Sequence, residues 1–196
     1  MEKSIVKTDR ELAEFYDYLY KTPDSKGRLY EFINRRAASF IDYMVKNVAK
    51  GSVLEIGCGR GQLLRWMKYL GYQTSGTEIA DCLFKDELYG MPVTKMFCSE
   101  LHKVGDSSYD CVVSSDVIEH LPTEADAEKM MADMARIFRK DILLSTGGMR
   151  AATSLRGRVH YVIKPRAWWE DLFKKYADIK TSFEAVGSLF IFGVKK

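Results

Sequence analysis

Short runs of branched aliphatic residues alternate with longer segments of helical periodicity along most of the chain. The run 53–56 (Val-Leu-Glu-Ile) is typical of a buried parallel strand, and it leads directly into Gly57, Gly59 and Gly61. Glycine accepts backbone angles and close approaches that a Cβ would forbid. The pattern predicts a strand, then a tight turn, then a helix whose free N–H groups face a ligand.

Residues 1–50 precede this strand and have the periodicity of two helices. Apolar residues at positions 12, 15, 16 and 19 would form one helical face, and residues 22–27 read as a break. A longer helix is expected from about Arg28 to Val48. We interpret residues 1–50 as a helical cap on a main domain of residues 51–196.

Strand-like and helix-like segments alternate after the glycine turn. Gly71 would cap the first helix, Pro122 would open the second, and Pro165 would lie in the first turn of the third. Seven strands alternating with helices predict an α/β fold with a doubly wound sheet. The predicted strands are 53–56, 72–77, 92–97, 110–115, 142–146, 179–183 and 188–194, and the helices are 62–70, 125–138 and 165–176.

Composition narrows the class of protein. The chain has 196 residues, of which 46% are hydrophobic and 29% charged, as expected for one globular domain. No apolar run reaches about 18 residues and no signal-peptide pattern is present, so we expect a cytoplasmic protein without a membrane partner. The net charge of +3 is mild, and the four cysteines form no C-x-x-C pair, which favours free thiols over a zinc site or disulfides.

Two kinds of ligand could lie on the glycine turn. A dinucleotide would require G-x-G-x-x-G, whereas this chain has G-x-G-x-G with Glu55 two residues before the first glycine. An acid there suits a cationic or zwitterionic ligand better than a pyrophosphate. The stretch 55–62 (Glu-Ile-Gly-Cys-Gly-Arg-Gly-Gln) resembles the first motif of the class I S-adenosylmethionine-dependent methyltransferases, and the resemblance extends over about residues 50–196.

The resemblance implies a Rossmann-like fold whose last strand is antiparallel, and S-adenosylmethionine as the cofactor. Glu78, at the end of the second strand, could accept both hydroxyls of the ribose. Cys98 stands where the family usually has an acid that binds the adenine. Either Glu100 supplies the carboxylate, or backbone groups and apolar walls around Ser99 and Leu101 hold the adenine. The residues expected to bind the cofactor are Glu55, Gly57, Gly59, Gly61, Glu78, Ser99, Leu101 and Asp116.

Methyl transfer to a hydroxyl benefits from a general base, and histidine is the natural one near neutral pH. His102 is expected on the surface. His120 follows the fourth strand, where the family places residues that face the acceptor, and His160 lies before the last helix. We predict His120 and His160 as catalytic residues of a methyltransferase with a small-molecule acceptor, an oxygen nucleophile being favoured.

A rival interpretation concerns a metal. Asp116, Glu119, His120 and His160 resemble the acid-x-x-Glu-His…His pattern with which the small-RNA 3′-terminal 2′-O-methyltransferases bind a divalent cation, and two carboxylates with two imidazoles are adequate ligands. We favour a metal-free site, because the Glu-His pair also occurs in metal-free members that methylate small molecules. Basic residues gather near the last helix, at Arg150, Arg156, Arg158, Lys164 and Arg166.

Three further kinds of protein are compatible with these residues. The mild net charge favours no nucleic-acid partner, but an RNA methyltransferase remains possible. A non-catalytic S-adenosylmethionine-binding partner subunit would have the same glycine motif, and a nicotinamide or nucleotide-sugar enzyme is a more remote third. The sequence does not indicate an oligomeric state.

Overall fold

The fold is a seven-stranded sheet with helices on both faces. The computed structural model describes residues 8–22, 34–85, 88–147 and 160–196. The strand order is β3-β2-β1-β4-β5-β7-β6, in which β7 is antiparallel to both neighbours and the other pairs are parallel. The strands are β1 Ser52–Ile56, β2 Gln73–Glu78, β3 Val93–Lys95, β4 Tyr109–Ser115, β5 Phe138–Gly147, β6 Ala177–Ala185 and β7 Ser188–Lys195.

The described helices fall on the predicted segments, with one addition. They are α1 Asp9–Lys21, α2 Asn34–Asn47, α3 Gln62–Tyr69, α4 Asp81–Lys85, α5 Glu124–Ile137 and α6 Arg166–Lys174, with short 3₁₀ helices at Cys98–Lys103 and Ile118–His120. The predicted break at 22–27 and the predicted start of the second helix, 28–33, lie outside the described residues except for Thr22. None of the described helices has the length and apolar character needed to cross a bilayer.

Each face of the sheet buries its own apolar cluster, which confirms the doubly wound architecture. On one face α2 and α3 pack against the sheet, and the fully buried Phe40 ring lies 5.5 Å from that of Phe190 and 5.3 Å from that of Phe192. On the other face Met134 of α5 and Trp169 of α6 lie in the second cluster. Truncating a buried aromatic such as Phe40 to alanine would cost roughly 3–5 kcal/mol.

The parallel register brings the ends of several strands to one edge. Ile56 at the end of β1 pairs with Thr77 of β2 and with Ser114 of β4. Ligands of open α/β sheets bind at this carboxyl edge. The glycine turn, Glu78 and the loop after β4 therefore start from neighbouring positions.

Local capping corrects some predicted boundaries. Pro122 does not open α5, because Thr123 is the N-cap and its hydroxyl accepts the amide N–H of Asp126 in a capping box. The loop expected at 98–101 begins a 3₁₀ helix, α4 has no counterpart among the predicted elements, and β3 is only three residues long. Leu70 is the C-cap of α3, and Gly71 follows it with φ +90°, the left-handed glycine that commonly ends a helix.

Candidate functional site

All three glycines of the turn have left-handed backbone angles. Gly57 has φ +68°, Gly59 has φ +52° and Gly61 has φ +71°. A Cβ on Gly57 would lie 2.5 Å from Cγ2 of Val117, and a Cβ on Gly59 would lie 2.9 Å from Oη of Tyr20. Glycine is required here for both conformation and space, so the turn forms a cradle that a side chain would fill.

Glu55 lies under this cradle with an unused acceptor. Its side chain is buried, and Oε2 has no hydrogen-bond partner among the described residues. Burial raises the pKa of Glu55, the nearby Glu78 carboxylate raises it further, and a hydrogen bond from the amide of Leu64 opposes the rise. A buried carboxylate oxygen without a partner is unusual in a folded protein, and it fits a ligand that brings a positive charge or a donor.

Glu78 ties the end of β2 to the glycine turn. Oε2 accepts the amide N–H of Gly59 at 2.7 Å, while Oε1 accepts those of Ile79 at 2.8 Å and Ala80 at 3.0 Å. Burial raises the pKa of Glu78 although these three donors favour the ionised form. Because a carboxylate has about four acceptor positions, one remains, on Oε2, for a ribose hydroxyl rather than the two expected from the sequence.

The residues expected around the adenine have different environments. Ser99 donates its hydroxyl to Asp9 of α1. Glu100 is engaged by Lys103 and by the amide of Phe97, which lower its pKa, so it is not a free carboxylate for a ligand. The pKa of the Cys98 thiol is raised to about 12, first by burial, so the thiol stays neutral.

The side chain of Leu101 does not form the apolar wall expected beside the adenine. Its side chain is fully buried in the cluster under α5, and its carbonyl accepts N–H groups from Val104 and Arg136. The side chain therefore offers no surface to a ligand, because the 3₁₀ helix turns it into the core.

Helix α1 lies across the carboxyl edge, and its polar contacts have no signal in the sequence. Asp9 of this helix accepts the hydroxyl of Ser99. Asp17 accepts the amide N–H of Cys82, a residue that follows β2, at 2.9 Å. The backbone carbonyl of Tyr20 accepts a guanidinium N–H of Arg60 at 3.1 Å. The sequence pattern marks the apolar face of this helix, whereas these contacts come from its other residues, for which no motif exists.

The loop after β4 is held by a residue of α2. Asp116 has φ +52°, and it forms an ion pair with Arg36. Its Oδ1 also accepts the hydroxyl of Ser145 at 3.0 Å, and its amide donates to the carbonyl of Ser145 at 3.1 Å. The Asp116 carboxylate, expected to contact the cofactor, is therefore engaged by protein groups. Arg36 carries no motif that would single it out in the sequence.

Glu119, His120 and His160 come together beside this loop. The two imidazole rings lie 4.5 Å apart at nearly right angles, and one ligand atom from each of the three residues lies within 4.8 Å of the others. Glu119 Oε1 accepts the amide N–H of Gly147 at 2.6 Å, whereas Oε2 is buried without a partner in the described part of the chain. Three side chains at these distances could share one cation, but Asp116 is not part of the group.

The pKa values of Glu119 and His160 shift in the directions that favour their neutral forms. Burial first, and then the Asp116 carboxylate, raises the pKa of Glu119. Burial lowers the pKa of His160, whereas Asp116 raises it and Arg36 lowers it. The ring of Tyr16 from α1 contacts His120 edge-on at 5.9 Å. His102, by contrast, is exposed, as expected from the sequence.

Comparison with known proteins fits this geometry. A family model described as a methyltransferase domain matches residues 29–175. No curated protein sequence matches the chain.

Several similar solved structures are described as methyltransferases, all of low sequence identity to this chain. The magnesium protoporphyrin IX methyltransferase from Synechocystis, with bound S-adenosylmethionine, has a TM-score of 0.67 at 18% identity. The match covers 97% of this chain and 99% of the methyltransferase chain. The 1,6-didemethyltoxoflavin N1-methyltransferase from Burkholderia thailandensis has a TM-score of 0.73 at 14% identity, over 97% and 92%. An S-adenosylmethionine-dependent methyltransferase from Archaeoglobus fulgidus has a TM-score of 0.68 at 16% identity, over 83% and 94%.

The family match covers most of the chain, and the glycine cradle and unpaired acid fit the cofactor. The match to a methyltransferase domain indicates an enzyme rather than a non-catalytic subunit, and it sets aside a nicotinamide enzyme. The chain therefore belongs to the class I S-adenosylmethionine-dependent methyltransferases.

Proposed function

We propose that this enzyme transfers a methyl group to an oxygen atom of a small-molecule acceptor, with His120 as the general base. The observation that carries the proposal is the imidazole pair beside the glycine turn. Val117, three residues before His120, lies 2.5 Å from the Cβ position of Gly57. The base and the cofactor cradle are thus parts of one small site.

Cofactor binding is assigned to residues at the carboxyl edge. Glu55 offers its unpaired oxygen, the glycine turn lets the ligand approach closely, and Glu78 offers its remaining acceptor position to the ribose. When bound, the cofactor supplies a methyl group on a positively charged sulfur. The protein's contribution is to align the acceptor with that methyl group, which can supply several kcal/mol.

His120 has the chemistry and position required of a base. An imidazole can take a proton near neutral pH, and the buried ring is held between His160 and Tyr16. His160 is proposed as the second catalytic residue, which orients the acceptor hydroxyl towards His120. Its pKa is lowered by burial, so it stays uncharged beside the base.

A small acceptor is favoured over a polymer. Helix α1 lies over the edge of the sheet, where the ring of Tyr16 packs against that of His120. Of the basic residues considered for RNA, Lys164 pairs with Glu124 and Arg166 pairs with Glu170. Arg150, Arg156 and Arg158 lie outside the described residues. Solved relatives include porphyrin and toxoflavin methyltransferases, which also fit a small acceptor.

Metal assistance is the second candidate, because Glu119, His120 and His160 are close enough to share a cation. We place metal assistance second because Asp116, the remaining residue of the metal-binding pattern, forms an ion pair with Arg36. Transfer of a labelled methyl group to small-molecule fractions of a cell extract tests both the metal-free and the metal-assisted candidate. We expect a labelled O-methyl product that forms undiminished in excess chelator. A product methylated only on nitrogen or carbon would overturn the oxygen assignment, and complete loss in chelator with recovery in Mn²⁺ would favour the metal.

A further inference from the structure

Two buried hydrogen-bond donors near the imidazole pair have no partner. Arg36 Nε and Ser188 Oγ are both shielded from solvent and unbonded in the described part of the chain. Most buried polar groups in folded proteins are hydrogen-bonded, so unpaired donors beside an active site indicate a missing polar ligand. Neither residue has a role in the proposed methyl transfer.

Both donors lie at the hairpin that joins β6 and β7. Arg36 Nη2 approaches the carbonyl of Val186 at 3.5 Å, so α2 reaches this hairpin. Ser188 begins β7 two residues later and is paired in register with Gly147 of β5.

Gly147 connects the hairpin to the imidazole pair. A Cβ on Gly147 would lie 2.7 Å from Cε1 of His160 and 2.9 Å from Oε1 of Glu119. Paired residues of neighbouring strands point to the same face of a sheet, so Ser188 faces the side on which His160 lies. Ser188 is therefore on the His160 side of the sheet, and Arg36 is close enough to act electrostatically on His160.

The charge of Arg36 decides which ligand suits the donors. Its Nη1 is bound to Asp116, which is itself fixed by Ser145, so the guanidinium is held in place with Nε–H left over. A guanidinium N–H and a hydroxyl both donate to a carboxylate, and bonds from an ionised donor to an ionised acceptor are the stronger ones. A neutral amide or alcohol would gain less from the same pair.

We propose that Arg36 and Ser188 bind a carboxylate of the acceptor, so that the substrate is a hydroxylated carboxylic acid. This inference rests on the proposed function. With the carboxylate at the hairpin, the hydroxyl lies towards His120, which takes its proton. The acceptor oxygen forms the new bond to the methyl carbon, and the carbon–sulfur bond breaks with its electron pair remaining on sulfur. The product is a methyl ether and a neutral thioether.

Binding to the enzyme loaded with S-adenosylhomocysteine tests the carboxylate subsite without turnover. The probes are 2-, 3- and 4-hydroxybenzoate and the three corresponding hydroxybenzamides, measured by calorimetry or ligand-observed NMR. We expect at least one hydroxybenzoate to bind about ten-fold more tightly than its amide, as for a lost charge-assisted hydrogen bond. Ser188→Ala and Arg36→Lys should each reduce that preference, whereas Ser108→Ala and Arg139→Lys should keep it.

Unchanged affinity for S-adenosylhomocysteine in each variant would show that the fold is intact. Equal binding of acids and amides, no binding by any of the six probes, or a preference that survives both Ser188→Ala and Arg36→Lys would overturn the carboxylate subsite. Methyl transfer to a neutral phenol that still requires His120 would leave the proposed function standing in that case.

Discussion

Glu78 accepts the amide N–H of Gly59 at 2.7 Å, which fastens the end of β2 to the turn that follows β1. Glu78→Ala removes this bond together with the one acceptor position that we propose for the ribose. We expect affinity for S-adenosylhomocysteine to fall by about 1–3 kcal/mol, measured by calorimetry. Glu184→Ala, at an exposed position of β6, is the matched control. Wild-type affinity in Glu78→Ala would remove Glu78 from the cofactor site.

Gly59→Val should weaken cofactor binding by a similar amount, about 1–3 kcal/mol, because the side chain fills the cradle. Its Cβ would meet Oη of Tyr20 at 2.9 Å, and the backbone is left-handed. Gly90→Val is the control, since Gly90 has φ +71° but no described atom within 4 Å of its Cβ position. Both variants carry backbone strain, so only a loss confined to Gly59→Val, measured by calorimetry, supports the cradle. Equal losses would attribute the effect to strain.

Gly147→Ala should impair turnover without affecting the cofactor site. The new methyl group would lie within 3 Å of His160 and Glu119 and would displace both side chains, which we propose line the acceptor site. We expect kcat to fall by about ten-fold or more with unchanged affinity for S-adenosylhomocysteine, about 1.4 kcal/mol of lost transition-state stabilisation. Gly105→Ala, whose nearest contact would be Ser108 at 3.9 Å, serves as the control. Wild-type kcat in Gly147→Ala would contradict the prediction that turnover depends on the positions of His160 and Glu119.

Asp110 predicts a pH dependence of stability at the other end of the sheet. Arg139 first, and then the amide of Ser52 and the side chain of Lys140, lower its pKa. A carboxyl whose pKa is depressed in the folded state stabilises the fold above its unfolded pKa of about 4, and the contribution is lost as the pH falls below that value. Asp110→Asn should therefore lower the free energy of unfolding at pH 7 by about 1 kcal/mol.

Urea unfolding at a series of pH values measures the difference between wild type and Asp110→Asn. The difference should narrow between about pH 4 and pH 2. Asp178→Asn, at an exposed site on β6, should show no such change. A constant difference from pH 7 to pH 2 would show that the Asp110 charge is not what stabilises the fold.

Sequence reasoning identifies the elements that have a local signal. The aliphatic run at 53–56 and the alternate glycines specify a strand and a left-handed turn without help from distant residues, and seven strands in a doubly wound sheet follow from the alternation. Glu78 can be chosen because it ends the next strand, and the parallel register sets it beside Gly59.

Tertiary contacts decide what the sequence does not reveal. Leu101 is expected on a loop, but a 3₁₀ helix turns it into the core. Arg36 lies 80 residues from Asp116 in the chain, and no spacing rule connects a residue of α2 with the loop after β4. Helix α4 has only five residues, too few for a helical period to be recognised. The division into a cap of residues 1–50 and a main domain of residues 51–196 stays a prediction.

The most direct measurement of the central claim is methyl transfer by His120→Ala in excess chelator, beside wild type and His102→Ala. If His120 is a metal-independent base, wild type and His102→Ala keep full turnover in chelator. His120→Ala should then lose at least about 100-fold in kcat, as expected for a general base, and should still bind S-adenosylhomocysteine normally. Wild-type turnover in His120→Ala, or wild-type activity abolished by chelator and restored by Mn²⁺, would contradict the claim.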